Sequence, residues 1–408
     1  MTRSEQGWCT SVTRRTALRG LAGFLAGSPL LHSQLDPFRD HSRVPAMSEL
    51  KTAFDFEPVA YAKLPRDIYD FMMGSSDGEA TARRNRQAFD WVSLIPRGMA
   101  DVSAIDCSTE ILGHKLKYPI LVAPTSGQGP LHPEGELGMH SGATAASNTP
   151  MIISSGASFP LSKITAAAKG PSWFQLYRSD TVEGTVERIE RAQDAGCTAI
   201  AWTVDGPVGP YRERALHDRH LGGYGEIDEN NPQGSRSRRN PRAAAQAPPP
   251  YGVRGQVLDW KFLSAWRSSV KVPLLIKGVV TAADARQCVE NGVSGIVVSN
   301  HGARRVGHGC STLEVLPEIA DEVRGRIALL VDSGFRRGSD VLKALALGAN
   351  AVCLGRVTRW GLAAYGPAGA QRVLEIIQAE LTLAMATTGR PNLRSVDRTL
   401  VRTNFPWA

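Results

Sequence analysis

Ile327-Ala328-Leu329-Leu330-Val331, followed at once by Asp332-Ser333-Gly334, is the stretch that decides the fold. A short, unbroken apolar run that stops at a polar turn reads as a strand covered on both faces. The same signature occurs eight times: Pro119 to Ala123, Met151 to Ile153, Ser172 to Leu176, Ala199 to Val204, Pro273 to Ile276, Gly295 to Val298, Ile327 to Val331 and Ala351 to Leu354. Amphipathic stretches lie between the runs, among them Thr181 to Ala195, Thr281 to Asn291 and Ser339 to Leu347, with helix caps expected at Thr281 and at Ser311 or Thr312. Eight strand and helix units in alternation predict an α/β fold, a closed (β/α)8 TIM barrel. An open doubly wound sheet is the alternative, but no GxGxxG follows the first run.

The runs end in Pro124-Thr125-Ser126, Ser154-Ser155, Gln175-Leu176-Tyr177, Asp205, Lys277-Gly278, Ser299-Asn300-His301, Asp332-Ser333-Gly334 and Gly355-Arg356. In a barrel these eight ends share one mouth, the face on which such folds carry their chemistry. Residues 48 to about 118 precede the barrel, with helical patterns at Leu64 to Met73 and Gly78 to Phe89, and are expected to form an N-terminal helical cap. The connection after strand 4, residues 214–257, is long and rich in Gly, Pro, Asn and Arg. It reads as a mobile loop over the mouth, either a lid or docking surface or a plain insertion.

A chain of 408 residues, 42% of them hydrophobic, has enough apolar mass for one large core, and residues 48–408 are expected to form a single domain. Its formal charge of +8 is concentrated in the N-terminal tail and in Ser235 to Arg242, which argues against a nucleic-acid surface. The six cysteines include no C-x-x-C pair, so no metal site is expected and the thiols read as small buried hydrophobes. Residues 1–47 read as a leader. Thr13-Arg14-Arg15-Thr16-Ala17-Leu18-Arg19 precedes an apolar stretch, Gly20 to Leu31, too short to span a bilayer. This resembles a twin-arginine export signal and implies a periplasmic protein; a basic leader on a cytoplasmic protein is the alternative. No later segment reads as a transmembrane span.

Two constellations sit at the mouth. His301 ends a strand and titrates near neutral pH, which makes it the candidate base; Asp205 is placed to fix its tautomer, and Arg304 to grip a carboxylate through a planar pair of hydrogen bonds. The last two strands lead into Asp332-Ser333-Gly334-Phe335-Arg336-Arg337-Gly338 and Gly355-Arg356. Glycine-rich loops in these positions commonly hold a phosphate, which suggests a phosphorylated cofactor. Lys277 then provides a positive charge beside an electron-accepting ring, or alternatively forms a Schiff base.

From about Leu64 onward the chain resembles the FMN-dependent 2-hydroxy acid dehydrogenase and oxidase family. The resemblance is carried by Ala123-Pro124-Thr125, His132-Pro133-Glu134-Gly135-Glu136, Phe174-Gln175-Leu176-Tyr177, Thr203-Val204-Asp205, Tyr211-Arg212-Glu213-Arg214, Ile276-Lys277-Gly278, Ser299 to Arg304 and Asp332 to Asp340. It implies FMN as cofactor and a small 2-hydroxy acid, lactate- or mandelate-like, as substrate. It also implies His301 as base with Asp205 as partner, Arg304 and Arg212 facing the carboxylate, and Tyr177 bonding the substrate. Pro124, Thr125, Ser126, Ser154, Gln175, Thr203, Lys277 and Ser299 match contacts around the flavin ring. Asp332, Ser333, Gly334, Phe335, Arg336, Gly355 and Arg356 match contacts to the ribityl chain and phosphate. The electron acceptor is dioxygen, a quinone or a cytochrome, and the expected assembly is a tetramer.

Three departures from the family pattern stand out. Phe71 replaces the tyrosine that bonds the substrate carboxylate, a loss of about 1.5–3 kcal/mol of binding. Arg305-Val306-Gly307 replaces the common Gln-Leu-Asp. Gly156 stands where glycolate oxidase has tryptophan, which implies a substrate larger than glycolate. Phe71 and Arg305 also admit a second reading, a catalytically weakened flavin-binding barrel that acts as a carrier or interaction protein.

Overall fold

The computed structural model describes residues 43–208, 212–214 and 256–406. Its compact body runs from Met47. Nearly all of the leader, Tyr211 and most of the 214–257 connection lie outside the described residues.

Eight parallel strands close into a barrel: β4 (Ile120–Val122), β5 (Met151–Ser154), β6 (Ser172–Leu176), β7 (Ile200–Thr203), β8 (Leu274–Val279), β9 (Gly295–Val298), β10 (Ala328–Val331) and β11 (Ala351–Leu354). Each pairs with its sequence neighbours, and β11 pairs back to β4. Intervening helices include Val182–Asp194, Ala282–Glu290, Thr312–Val323 and Gly338–Ala346. Thr181, Thr281 and Ser311 cap three of them through their side chains; at Ser311, Glu314 completes a reciprocal capping box, so the cap is Ser311 rather than Thr312. Among the described residues, no helix is long and apolar enough to cross a membrane.

The inward faces of the strands form the barrel core: Leu121 and Ala123, Ile152, Trp173, Ala199 and Ala201, Leu275, Val297, Leu330, Ala351 and Cys353. Ile111 and Leu116 join this cluster from a hairpin, β2 (Thr109–Ile111) with β3 (His114–Leu116). The hairpin floors the barrel at the amino-terminal end of its strands. A second unforeseen pairing, β1 (Val92–Leu94) with β12 (Val401–Thr403), ties the cap segment to the C-terminus.

Three helices, α1 (Phe56–Lys63), α2 (Arg66–Met73) and α3 (Ala80–Gln87), make the N-terminal cap. α1 packs on the long C-terminal helix Arg356–Thr387, which bends at Tyr365-Gly366-Pro367. The cysteine expectation holds for Cys107, Cys197, Cys288 and Cys353, but Cys310 is exposed. It lies in the loop between β9 and the Thr312–Val323 helix, where its carbonyl accepts from Asn300.

Candidate active site

Side chains alternate along a strand with a period of two, so the core parity can be carried upward to the carboxyl ends. From Leu121 and Ala123 it reaches Thr125; from Ile152, Ser154; from Trp173, Gln175 and Tyr177. From Ala201 it reaches Thr203 and Asp205; from Leu275, Lys277; from Val297, Ser299 and His301; from Leu330, Asp332; from Cys353, Gly355. The pattern that fills the barrel with apolar groups thus lines its mouth with polar ones.

These ends surround a cavity lined by strand ends and by residues of the cap. Of the expected residues, Pro124, Thr125, Ser126, Ser154, Tyr177, Lys277, His301, Arg304, Asp332 to Arg336, Gly355 and Arg356 line it. Gln175, Thr203 and Ser299 do not; they stand behind the wall and hold the residues that do. The Gln175 amide donates to Thr203 Oγ1 at 2.9 Å, and its carbonyl accepts from Ser154 Oγ at 3.2 Å. Ser299 Oγ accepts from Lys277 Nζ at 2.8 Å and from the His301 amide at 3.0 Å.

His301 carries the tightest geometry. Its Nδ1 lies 2.8 Å from Asp205 Oδ1 and its Nε2 3.3 Å from the Tyr177 hydroxyl. Burial favours the neutral imidazole, and Lys277 and Arg305 add to this against the pull of Asp205, so His301 is held below the ordinary histidine range. Burial works against ionised Asp205, but His301, Lys277 and Arg305 outweigh it and keep the carboxylate charged. Lys277 is buried too, and the carboxylates of Asp332, 3.4 Å away, and Asp205 hold its ammonium in the charged form.

The backbone is bent to achieve this. His301, Gly302 and Ala303 have φ of 59°, 63° and 65°, three consecutive residues in the left-handed region. For non-glycine residues that region costs about 1–2 kcal/mol each, and such strain collects at functional sites. Asn300 braces the turn: its carbonyl accepts from the Ala303 amide at 3.0 Å, and it pairs reciprocally with Asn85 of α3. Gly278, at φ 110°, sits at an irregularity in the β8–β9 pairing; a Cβ there would lie 2.6 Å from Asp205 Cβ.

Arginines dominate the rest of the wall. Arg304 Nη1 donates to the carbonyls of Phe71 (2.9 Å) and Gly74 (2.6 Å), and its guanidinium lies 5.2 Å from the Phe71 ring centroid. Arg356 donates to the Gly74 carbonyl and to Gly302 O, at 3.1 and 2.8 Å. Both cations thus rest on the C-terminal carbonyls of α2, the negative end of its dipole. Arg212 does not line the cavity but stands over Phe71, 5.9 Å from the ring centroid.

Burial and mutual repulsion weaken these guanidiniums: Arg336 is pushed down to about 9 and Arg356 to about 10. Arg359, which sequence reasoning missed, is likewise at about 10. It lines the cavity, and its Nε has no hydrogen-bond partner among the described residues. The visible signal was a charged residue inside the apolar run from Val357 to Ala364. A cluster of buried guanidiniums short of carboxylates suits a phosphate, and buried Lys277, held by Ser299 and Asp332 in the cavity wall, suits a polar ring edge. The donor set fits FMN.

A family model for FMN-dependent dehydrogenases matches residues 60–403. Glycolate oxidase 3 of Arabidopsis thaliana is 38% identical over 372 residues, covering 88% of this chain and 97% of its own. Glycolate oxidase 1 of Zea mays is 38% identical over 355 residues, covering 86% and 95%. A crystal structure of mandelate oxidase superposes with a TM-score of 0.77 at 34% identity, covering 87% of this chain and 98% of that one. The chain therefore belongs to the FMN-dependent dehydrogenase family, with glycolate and mandelate oxidases among its relatives, and is an FMN enzyme acting on CH–OH donors.

Proposed function

We propose that the protein oxidises an L-2-hydroxy acid larger than glycolate to the 2-oxo acid. The observation that carries this reading is His301, neutral, braced by ionised Asp205 at Nδ1 and presenting Nε2 to the cavity beside Tyr177. Arg304 and Arg212 hold the substrate carboxylate, and Tyr177 bonds the reacting hydroxyl. The carbinol loses two electrons and two protons, one proton going to His301 Nε2. FMN, when bound, supplies the sink for the electron pair and the second proton. Lys277 places a fixed positive charge where negative charge gathers on the ring. Loss of the proton first, or of hydride first, makes the same demand on His301.

The size assignment rests on Gly156, which puts no side chain next to Ser126 and Ser154 of the cavity wall. The test is an anaerobic screen of the yellow protein against glycolate, lactate, mandelate and longer 2-hydroxy acids, those with a second carboxylate included, read at the flavin absorbance. Bleaching by the larger acids is expected. Bleaching by none would overturn the function and favour a flavin carrier; a preference for glycolate would overturn the size assignment. Repeating the active case in air identifies dioxygen, rather than a quinone or cytochrome, as acceptor. Export through the twin-arginine route is part of the same proposal, and transport of a fusion to residues 1–50 should stop when Arg14→Lys and Arg15→Lys are combined. The expected tetramer is checked by light scattering.

A further inference from the structure

Arg304 and Arg305 are neighbours in sequence and point to opposite sides of the site. The left-handed turn through Ala303 sends Arg304 to the carbonyls of Phe71 and Gly74 at the end of α2. Arg305 turns the other way, to the segment that follows β7. Its Nη2 lies 3.4 Å from the Tyr177 hydroxyl, and its Nη1 lies 3.4 Å from the Val208 carbonyl. Between the two arginines stand Tyr177 and His301, the groups that would face the reacting carbinol. Only two contacts, of 3.4 and 3.3 Å, separate the Arg305 guanidinium from His301 Nε2.

Arg305 has been given room but, among the described residues, little neutralisation. It lies against Gly206, where a Cβ would come within 2.5 Å of Nη2, so the absence of a side chain there lets the guanidinium in. Its side chain is only 16% exposed, and its Nε has no hydrogen-bond partner among the described residues. Among the described residues its ion-pair partner is Asp205 Oδ1 at 3.8 Å, an oxygen already engaged by His301 at 2.8 Å. Burial, and then the charge of Arg305, depresses the basicity of Arg212, whose Nε is likewise without a hydrogen-bond partner among the described residues. A substrate with one carboxylate answers Arg304 and Arg212 and leaves Arg305 with only the shared Asp205 oxygen as an anionic partner among the described residues. Once His301 takes its proton, Asp205 is committed to the imidazolium, and Arg305 is left with still less.

We infer that the substrate carries a second carboxylate, with Arg305 as the residue that selects it: a 2-hydroxydicarboxylic acid of four or five carbons, such as malate or 2-hydroxyglutarate. Its first carboxylate sits on Arg304, the hydroxyl-bearing carbon lies between His301 and Tyr177, and the far carboxylate reaches Arg305. The reaction is unchanged: the carbinol loses two electrons and two protons, the product is the 2-oxodicarboxylate, and neither carboxylate is lost. The inference rests on the functional reading above and narrows it.

The test uses FMN-loaded enzyme in anaerobic stopped flow. L-malate and L-2-hydroxyglutarate are compared with the chain-matched monoacids L-2-hydroxybutyrate and L-2-hydroxyvalerate. The native enzyme should reduce its flavin with at least tenfold higher efficiency for the diacids. Arg305→Gln should erase or invert that ratio, and Arg305→Lys should restore part of it. Succinate and butyrate, which cannot be oxidised, supply a readout independent of turnover. Succinate should perturb the flavin spectrum of the native enzyme at lower concentration than butyrate, and Arg305→Gln should abolish the difference. Equal or better reduction by the monoacids overturns the inference and leaves the 2-hydroxy acid function standing. An Arg305→Gln effect that is the same for both acid classes, or that only moves the pH profile, also overturns it, since Arg305 would then act through Asp205 and His301 alone. Bleaching by no 2-hydroxy acid overturns the functional reading and this inference with it.

Discussion

The two ends of the barrel are built from the same strands and obey opposite rules. At the amino-terminal end, Trp173 and its neighbours meet Ile111 and Leu116 of the hairpin in a closed apolar layer. At the carboxyl-terminal end, two residues further along each strand, the same face presents charged and hydroxyl groups. There the backbone is held in the left-handed region at His301, Ala303 and Ser333, and buried cations face one another. The floor lowers the free energy of the fold, and the mouth raises it. The cost is tolerated because Asn300, Asn85, Ser299 and Ser333 pin the strained segment through hydrogen bonds that leave it little freedom to relax.

This contrast breaks most visibly at His301. His301→Gln should keep FMN and the yellow colour while slowing anaerobic flavin reduction by about 10²–10⁴-fold, the range for removing a positioned base. Its basicity sets the pH dependence in the native enzyme. The base works when neutral, and its folded-state value lies below the histidine norm, so kcat/KM should hold through pH 6.5 and fall only as the pH drops through that lowered value. The matching change at the floor is Trp173→Ala, which should cost about 3–5 kcal/mol of stability in denaturant unfolding. The folded fraction should retain its rate of flavin reduction. A catalytic defect larger than the loss of folded protein would show that floor and mouth are coupled.

How far the sequence reveals each end follows from the same physics. The eight strands are legible because both faces are covered, which makes every run apolar; Ser172 to Leu176, Gly295 to Val298 and Ala351 to Leu354 match to the residue. The run ending at Ile276 continues to Val279 in the structure, because Gly278 lets the strand pass Asp205 without a side chain in the way. The floor hairpin is not legible: three-residue strands are too short for a period of two to stand out. Nor is the pairing of Val92–Leu94 with Val401–Thr403, which joins segments from opposite ends of the domain. At the mouth, residue types at strand ends reveal His301, Asp205 and Lys277. The directions taken by Arg304, Arg305 and Arg359 depend on backbone torsions and helix phase, which no local pattern of residue types displays. Gln175, Thr203 and Ser299 look like cavity residues in sequence because their parity is right, yet they lie one layer back.

A smaller perturbation separates the orientation of the base from its presence. Gly278→Ala places a methyl group 2.6 Å from Asp205 Cβ at a backbone φ of 110°, so either the carboxylate or the strand must shift. Losing the bond from His301 Nδ1 to a charged acceptor should cost about 1.5–3 kcal/mol, a rate loss of roughly ten- to a hundredfold. The His301 ring would remain in place, so the affinity for a non-oxidisable carboxylate should change less than the reduction rate. Equal losses in both would mean that the whole pocket had moved rather than Asp205 alone.

The smallest effect is expected from adding a group rather than removing one. Phe71 lines the cavity with its ring near Arg304 and Arg212, at 5.2 and 5.9 Å. Phe71→Tyr keeps that ring and its attraction for both guanidiniums and adds a hydroxyl on the carboxylate side of the site. Because Arg304 and Arg212 already answer the carboxylate's charge, the restored bond should contribute about 0.5–1.5 kcal/mol rather than the about 1.5–3 kcal/mol of a bond to an unpaired carboxylate, so KM should fall by roughly two- to tenfold. The reduction rate at saturation should hardly change, because the bond is made to substrate and transition state alike. A fall in the saturated rate instead would mean that the hydroxyl competes for Arg304. The Phe71 and Gly74 carbonyls would then be sufficient support for that arginine, and the mouth would already be complete without a tyrosine at this position.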